Sequence, residues 1–132
     1  MIMFVDTSVF LAVLNEDDPN YDSAAEHLAT LVESGEELFC TNYILVEAYA
    51  LIQNRLGMDA VRDFQRKILP SIKIIWLGEE DHHRVVNKFV SENRKAVSFV
   101  DQSSFHAMRQ QGIMTVFTYD KHFREQGFTV IP

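Results

Sequence analysis

Four acidic side chains stand at positions where the surrounding sequence predicts burial or the end of a strand. Asp6 closes the apolar run MIMFV, and Asp120 follows the run TVFTY. Glu47 is the only charged residue in the ten-residue stretch YILVEAYALI, and Asp101 follows an apolar pair in SFVD. An unpaired carboxylate is costly to bury, so each needs a cation, a hydrogen-bond partner or a proton. These positions indicate either structural ion pairs or a site that binds cations.

The elements that must position these acids alternate along the chain between strand and helix patterns. Short apolar runs rich in β-branched residues predict strands, and apolar residues at helical spacing predict the segments between them. This alternation predicts an α/β fold, a three-layer α/β/α sandwich with a central parallel sheet of four to five strands, formed by residues 1–132 as one domain. The predicted strands are residues 2–5, 38–41, 71–77, 114–119 and 128–131, and the predicted helices are residues 8–14, 21–34, 43–56 (capped by Asn42), 59–69, 79–93 and 100–111.

On this fold the four acids are expected to meet at one edge of the sheet, because ligands of open α/β sheets bind beyond the carboxyl ends of the strands. Asp6 and Asp120 lie at two such ends. Glu47 lies within two turns of the start of the helix after the second strand, and Asp101 opens the helix that leads into the fourth. Without a cation the cluster would repel itself, whereas Mg²⁺ or Mn²⁺ prefers oxygen ligands. One or two such ions can activate water against a phosphodiester.

Each acid also has a purely structural explanation. Asp101 is a favourable residue for capping a helix, and Asp120 is typical of a turn after a strand. Glu47 could form a buried ion pair with one of the arginines. A structural role for all of the acids predicts that each has its own Arg, Lys or backbone N–H partner.

The charge balance limits the class of partner. The chain carries 12 Lys and Arg against 19 Asp and Glu, a net charge of −7. Phosphate affinity comes mainly from Lys and Arg, which argues against a DNA-binding module but not against an enzyme that brings carboxylate-bound cations to a phosphodiester. The single cysteine, Cys40, cannot form an intrachain disulfide, and the apolar start is too short to span a membrane. We therefore expect a cytoplasmic protein.

Other catalytic patterns are absent or incomplete. The sequence contains no GxGxxG or P-loop pattern, so nucleotide-binding folds lose support. VDTSV has Ser8 where a phosphatase of the Asp-x-Asp type needs its second acid. His82 and His83 are adjacent, so they do not share a helix face, and no third ligand follows at zinc spacing.

Four segments, in order and across essentially the whole chain, resemble the PIN domain family, and among its members the VapC-type ribonuclease toxins. They are VDTSVFLAVL, TNYILVEAYALI, SFVDQSSFHAMRQQGI and VFTYDKHFREQGF. The resemblance implies a parallel sheet flanked by helices and a Mg²⁺- or Mn²⁺-dependent endoribonuclease. It also implies a homodimer that is neutralised by a small antitoxin whose tail lies across the site.

The same resemblance assigns roles to individual residues. Asp6 and Asp101 would be the principal metal ligands, and Glu47 and Asp120 would complete the catalytic quartet directly or through water. Thr7 or Ser8 would orient Asp6 or a bound water. The further supporting polar groups expected at the same edge are Asn42 and Ser98.

One alternative belongs to another class of protein: a catalytically silent module of the same fold that binds RNA or protein. An intact acidic quartet argues against it, because a silent relative does not need to maintain the repulsion among the acids. RNA binding that requires a divalent cation would favour the enzyme.

Overall fold

A five-stranded parallel sheet forms the centre of the protein, described here from a computed structural model of residues 1–132. The strands are β1 (Ile2–Val5), β2 (Glu37–Thr41), β3 (Ile72–Ile75), β4 (Thr115–Phe117) and β5 (Thr129–Ile131). Their order is β3-β2-β1-β4-β5, and every adjacent pair is parallel. All the strands therefore end at one side of the sheet, which we term the carboxyl edge.

Seven α-helices flank the sheet. They are α1 (Thr7–Val13), α2 (Tyr21–Glu33), α3 (Asn42–Leu56), α4 (Met58–Asp63), α5 (Glu79–Glu92), α6 (Phe99–Gln111) and α7 (His122–Glu125). None of them is both long and apolar enough to cross a membrane. The predicted α/β class and parallel sheet are confirmed, with five strands.

The apolar core is one cluster of 22 buried residues, and β1 lies at its centre. Met3, Phe4 and Val5 are all buried, although successive strand residues point to opposite faces. Both faces of the sheet are therefore covered at β1, as the three-layer prediction requires. The burial of both faces also explains why the strand reads as an unbroken apolar run.

The helix predicted over residues 59–69 is wrong in detail. Regular α-helix stops at Asp63, and a π-helical turn (Phe64–Ile68) and a 3-10 turn (Leu69–Ser71) complete the segment. Phe64 is fully buried and packs edge-on against the rings of Phe10 and Tyr49, at centroid distances of 5.0 and 5.3 Å. Such packing is a tertiary constraint that helical spacing does not reveal. Helix α7 was not predicted at all.

Helix α3 differs from its prediction in two ways. Its N-cap is Thr41, whose Oγ1 accepts a hydrogen bond from the Ile44 N–H at 3.1 Å, and not Asn42. The helix is also not buried all round, because Val46 is 71% exposed and Ala50 is exposed. The apolar composition of α3 predicted a helix that is buried on every side, but Val46 and Ala50 are exposed to solvent.

Candidate active site at the carboxyl edge

Asp6 lies at the end of β1 and at the N-cap position of α1, but its side chain does not cap that helix. Its backbone serves both elements: the N–H donates to the Phe117 carbonyl at 3.0 Å, and the carbonyl accepts from the Val9 N–H at 3.1 Å. The sheet thus places Asp6 beside β4, and the carboxylate stays available for other contacts.

Two hydroxyl groups orient the Asp6 carboxylate. Ser8 Oγ and Thr118 Oγ1 both donate to Asp6 Oδ2, at 2.9 and 2.8 Å. Each hydroxyl also accepts a backbone hydrogen bond, Ser8 Oγ from the Tyr119 N–H at 3.1 Å and Thr118 Oγ1 from the Asp120 N–H at 2.9 Å. Their protons are therefore directed at Asp6. The carboxylate is held through Oδ2, and Oδ1 makes no side-chain hydrogen bond.

Thr118 is a residue of the candidate site that sequence reasoning missed. It is buried and connects Asp6 to the backbone of Asp120, so it joins two of the predicted acids directly. A polar residue at the end of an apolar strand, two positions before Asp120, was the only available signal.

Asp101 lies in the first turn of α6, where a capping box with Ser98 holds it. Ser98 Oγ accepts from the Asp101 N–H at 3.0 Å, and Asp101 Oδ2 accepts from the Ser98 N–H at 3.3 Å. Ser98 is thus the N-cap, so the alternative explanation of Asp101 as the N-cap does not hold, although its carboxylate completes the capping box. Ser98 does position one of the candidate catalytic acids.

Asp120 follows β4 and turns the chain into α7. Its Oδ1 accepts from the His122 N–H at 2.8 Å, the local contact expected of an acid at a turn. Its negative charge acts on both Asp6 and Asp101. Three of the four predicted acids therefore share one electrostatic environment, although they come from three separate segments.

The electrostatics of this trio, Asp6, Asp101 and Asp120, are those of uncompensated charge. Burial, and to a lesser degree the charges of Asp120 and Asp6, raise the pKa of Asp101 to about 6. Burial is also the main reason that the pKa of Asp6, a residue only 5% exposed, is raised, and the two hydroxyl bonds oppose that rise. None of the ten ion pairs of the protein includes a member of the trio.

Glu47 is not drawn into this environment. It is half-buried on α3, makes no ion pair or hydrogen bond, and is not among the charges that shift the pKa of Asp6 or Asp101. The buried ion pair with arginine is absent. Partial exposure explains why Glu47 needs no such partner, since a carboxylate that reaches water keeps much of its solvation.

The other predicted supporting groups differ in what they do. Thr7 is buried, and its Oγ1 has no hydrogen-bond partner, an uncommon state for a buried hydroxyl. Asn42 instead fastens α3 to the segment after β3. Its Oδ1 accepts from the Leu77 N–H at 2.8 Å, and its Nδ2 donates to the Leu77 carbonyl at 3.2 Å. Asn42 therefore has a structural contact that its sequence position did not suggest.

The trio suits a hard divalent cation by its chemistry. Every donor is a carboxylate oxygen, the ligand type that Mg²⁺ and Mn²⁺ prefer, and the charge that such an ion would neutralise is present. No group of three or more His, Cys, Asp or Glu side chains is close enough to form a ready-made metal centre. Mg²⁺ is commonly bound through one or two carboxylates and several waters, so the donor set remains compatible with that ion.

A parallel α/β fold with carboxylates at the carboxyl edge defines the class of protein, and the chain belongs to the PIN domain family, whose model matches residues 3–128. The 23S rRNA-specific endonuclease VapC20 of Mycobacterium tuberculosis is 25% identical over 131 residues, 98% of each chain. The predicted resemblance to PIN domains and to their VapC-type members is confirmed.

Solved structures show the same fold. The crystal structure of Mycobacterium tuberculosis VapC20, described as a Sarcin-Ricin loop cleaving toxin, superposes with a TM-score of 0.81 at 26% identity, covering 96% of each chain. VapBC2 from Rickettsia felis, bound to a DNA fragment from its promoter, gives a TM-score of 0.73 at 12% identity, covering 99% of this chain and 98% of that one.

Proposed function

We propose that this protein is a Mg²⁺- or Mn²⁺-dependent endoribonuclease and the toxin of a toxin–antitoxin pair. One observation carries the proposal: three carboxylates from separate segments share one environment, and no lysine, arginine or histidine is paired with any of them. Such repulsion costs stability unless a cation occupies the site. The family and its VapC20 member, named as an endonuclease, support the same activity.

The hydrogen bonding of the trio supports its role as a ligand set. Each carboxylate is bonded through one oxygen: Asp6 through Oδ2, Asp101 through Oδ2 and Asp120 through Oδ1. Asp6 and Asp101 would hold the cation, with Asp120 and Glu47 completing the quartet directly or through water.

The residues of this site would divide the work of phosphodiester hydrolysis. A bound divalent cation supplies activation of water and offsets the charge on the leaving oxygen. Ser8 and Thr118 keep Asp6 in one orientation, and Ser98 does the same for Asp101. A carboxylate of the quartet that does not bind the cation accepts the proton of the attacking water.

The proposed substrate is RNA, and the first candidate is the sarcin–ricin loop of 23S rRNA, because VapC20 is named for those targets.

A small antitoxin is the proposed partner, since structural neighbours include VapBC and FitAB proteins. We further propose a homodimer, for which Val46 and Trp76, exposed by 71% and 72%, offer apolar contact area. Residues 1–132 would act as one domain, which the single sheet and core support.

The test is cleavage of an RNA that contains the sarcin–ricin loop. Wild-type protein should cut it with Mg²⁺ or Mn²⁺ and not with EDTA. Asp101→Asn should lower the rate by more than about 100-fold, because even outer partners of a metal site contribute about 10–100-fold. Asp17→Asn, which makes the same change at an exposed position, is the matched control.

Two outcomes would contradict the proposal in different ways. Cleavage that persists in EDTA would exclude the metal-dependent mechanism. RNA binding without cleavage, in the presence of either cation and of a range of RNAs, would identify the catalytically silent module instead.

A further inference from the structure

The structure leaves a small number of cations without acidic partners. Six of the twelve lysines and arginines form ion pairs with Asp or Glu. Of the others, Arg109 is engaged by Gln126 and by the rings of Phe105 and Phe128. The cations that remain are Arg55, Arg66, Lys95, Lys121 and Arg124.

Lys121 and Arg124 lie beside the candidate active site. Both are exposed, and neither makes a side-chain hydrogen bond or an ion pair. They are three residues apart at the start of α7, a spacing that brings side chains to the same face of a helical turn. Glu125, the acid next to Arg124 in the chain, is already paired with Arg94 and His122, so it does not neutralise Arg124.

These two cations line a groove whose wall includes Asp120, one member of the trio. The groove has a volume of about 260 Å³, and Asp120 is the only acidic side chain among its lining residues. Thr118, whose hydroxyl orients Asp6, forms part of its wall. A ligand in the groove would therefore contact Lys121 and Arg124 beside Asp120, and next to the Thr118 side chain that donates to Asp6.

We propose that Lys121 and Arg124 form a phosphate-binding subsite for the RNA strand next to the scissile bond. This inference rests on the proposed function. A single strand that places one phosphodiester at the carboxylates must place its neighbouring phosphates one nucleotide further along the strand on either side. An Arg guanidinium can bind phosphate oxygens in bidentate fashion, and a Lys ammonium supplies a compact charge. In a protein of net charge −7, this pair supplies locally the attraction that the whole chain lacks.

Equilibrium binding as a function of salt tests the subsite. Fluorescence anisotropy of a labelled single-stranded RNA is measured from about 50 to 200 mM salt, with all variants made in the Asp101→Asn background to suppress cleavage. Lys121→Ala/Arg124→Ala should raise Kd about tenfold. It should also make the slope of log Kd against log salt shallower by about 1.4, because each phosphate that a cation neutralises accounts for about 0.7 of that slope. The control is Arg55→Ala/Arg66→Ala, which removes two positive charges from exposed, unpaired arginines outside the groove. It should change both the Kd and the salt slope less than the Lys121→Ala/Arg124→Ala variant does.

The outcomes separate the subsite from the proposed function. If both double variants weaken binding equally, the effect is one of net charge and the subsite is wrong, whereas metal-dependent cleavage by the wild type would still stand. If binding of RNA is unchanged and only binding of an acidic peptide is weakened, the groove serves a protein partner and the proposal is overturned. Absence of both RNA binding and cleavage in the wild type would overturn both proposals. Circular dichroism spectra that match the parent protein establish that each variant is folded.

Discussion

Two regions of the protein place their carboxylates in different electrostatic surroundings: one on α5, and one at the carboxyl edge of the sheet. On α5, Asp81 binds His106 at 2.9 Å, and this contact is the main reason that the pKa of Asp81 is lowered. At the carboxyl edge, Asp6 and Asp101 have no cationic partner, and burial raises the pKa of both. At Asp81 the contact with His106 outweighs burial, whereas burial is the largest influence on the pKa of Asp6 and of Asp101.

Asp101 and Asp120 accept backbone N–H bonds, as a structural role predicts, so the absence of a cationic partner is what distinguishes the trio as candidate ligands. A protein that needs a carboxylate only for stability can place a cation or histidine beside it, as at Asp81. The trio lacks such partners even though Lys121 and Arg124 are close in the chain and unpaired. Buried acids whose pKa values are raised and that lack a cationic partner, such as Asp6 and Asp101, are typical of functional sites, where stability is given up for chemistry.

The largest expected difference between the two groups is the response to Mn²⁺. At about 100 times Kd, bound metal should raise the free energy of unfolding of the wild type by about 2.7 kcal/mol. Asp6→Asn should lose most of this gain, because a ligand is removed while hydrogen bonding to Ser8 and Thr118 stays possible. Asp81→Asn should keep it. Chemical denaturation with and without Mn²⁺ measures the effect, and an equal gain in wild type and Asp6→Asn would place the metal elsewhere.

A smaller difference should appear in the pH dependence of the metal-free protein. Because the pKa of Asp101 rises from 3.8 to about 6 on folding, the folded state binds more protons between these values than the unfolded state. The free energy of unfolding should therefore fall as pH rises through this window, by on the order of 1 kcal/mol from this group. Asp101→Asn, compared in EDTA by denaturation at stepped pH, should lack that fall. Parallel profiles for the two proteins would show that the raised pKa has no thermodynamic consequence.

The smallest effect, with the opposite sign, is expected at Asp81. The lowered pKa of Asp81 stabilises the folded protein at pH values above the ordinary pKa of an aspartate. This stabilisation is lost as the pH falls through the pKa that Asp81 has in the folded state. Asp81→Asn should therefore cost under about 1 kcal/mol near neutral pH, with the difference from wild type shrinking in acid. The same denaturation series provides this measurement. A cost that grows as the pH falls through the acid range in which Asp81 becomes protonated would contradict the pairing with His106.

Most of the architecture could be predicted from local pattern. Every strand end was placed within two residues, because apolar β-branched runs and the glycines at helix ends are local signals. Gly57 follows α3 with a φ of +92°, a conformation that favours glycine. The 59–69 helix and α7 were not predicted correctly, since packing around Phe64 and a four-residue helix leave little trace in spacing.

The sequence identified the candidate carboxylates, but it did not reveal which side chains contact one another in the folded protein. Their positions at strand ends and helix starts identified Asp6, Asp101 and Asp120 as candidates, because residue type and element order are properties of the chain alone. That Thr118 joins two of them, that Glu47 stands apart and that Asn42 binds Leu77 were decided by the tertiary structure. Strand order brings β4 beside β1 across more than 100 residues of chain, and the contacts made there depend on distance in space, which no local pattern records.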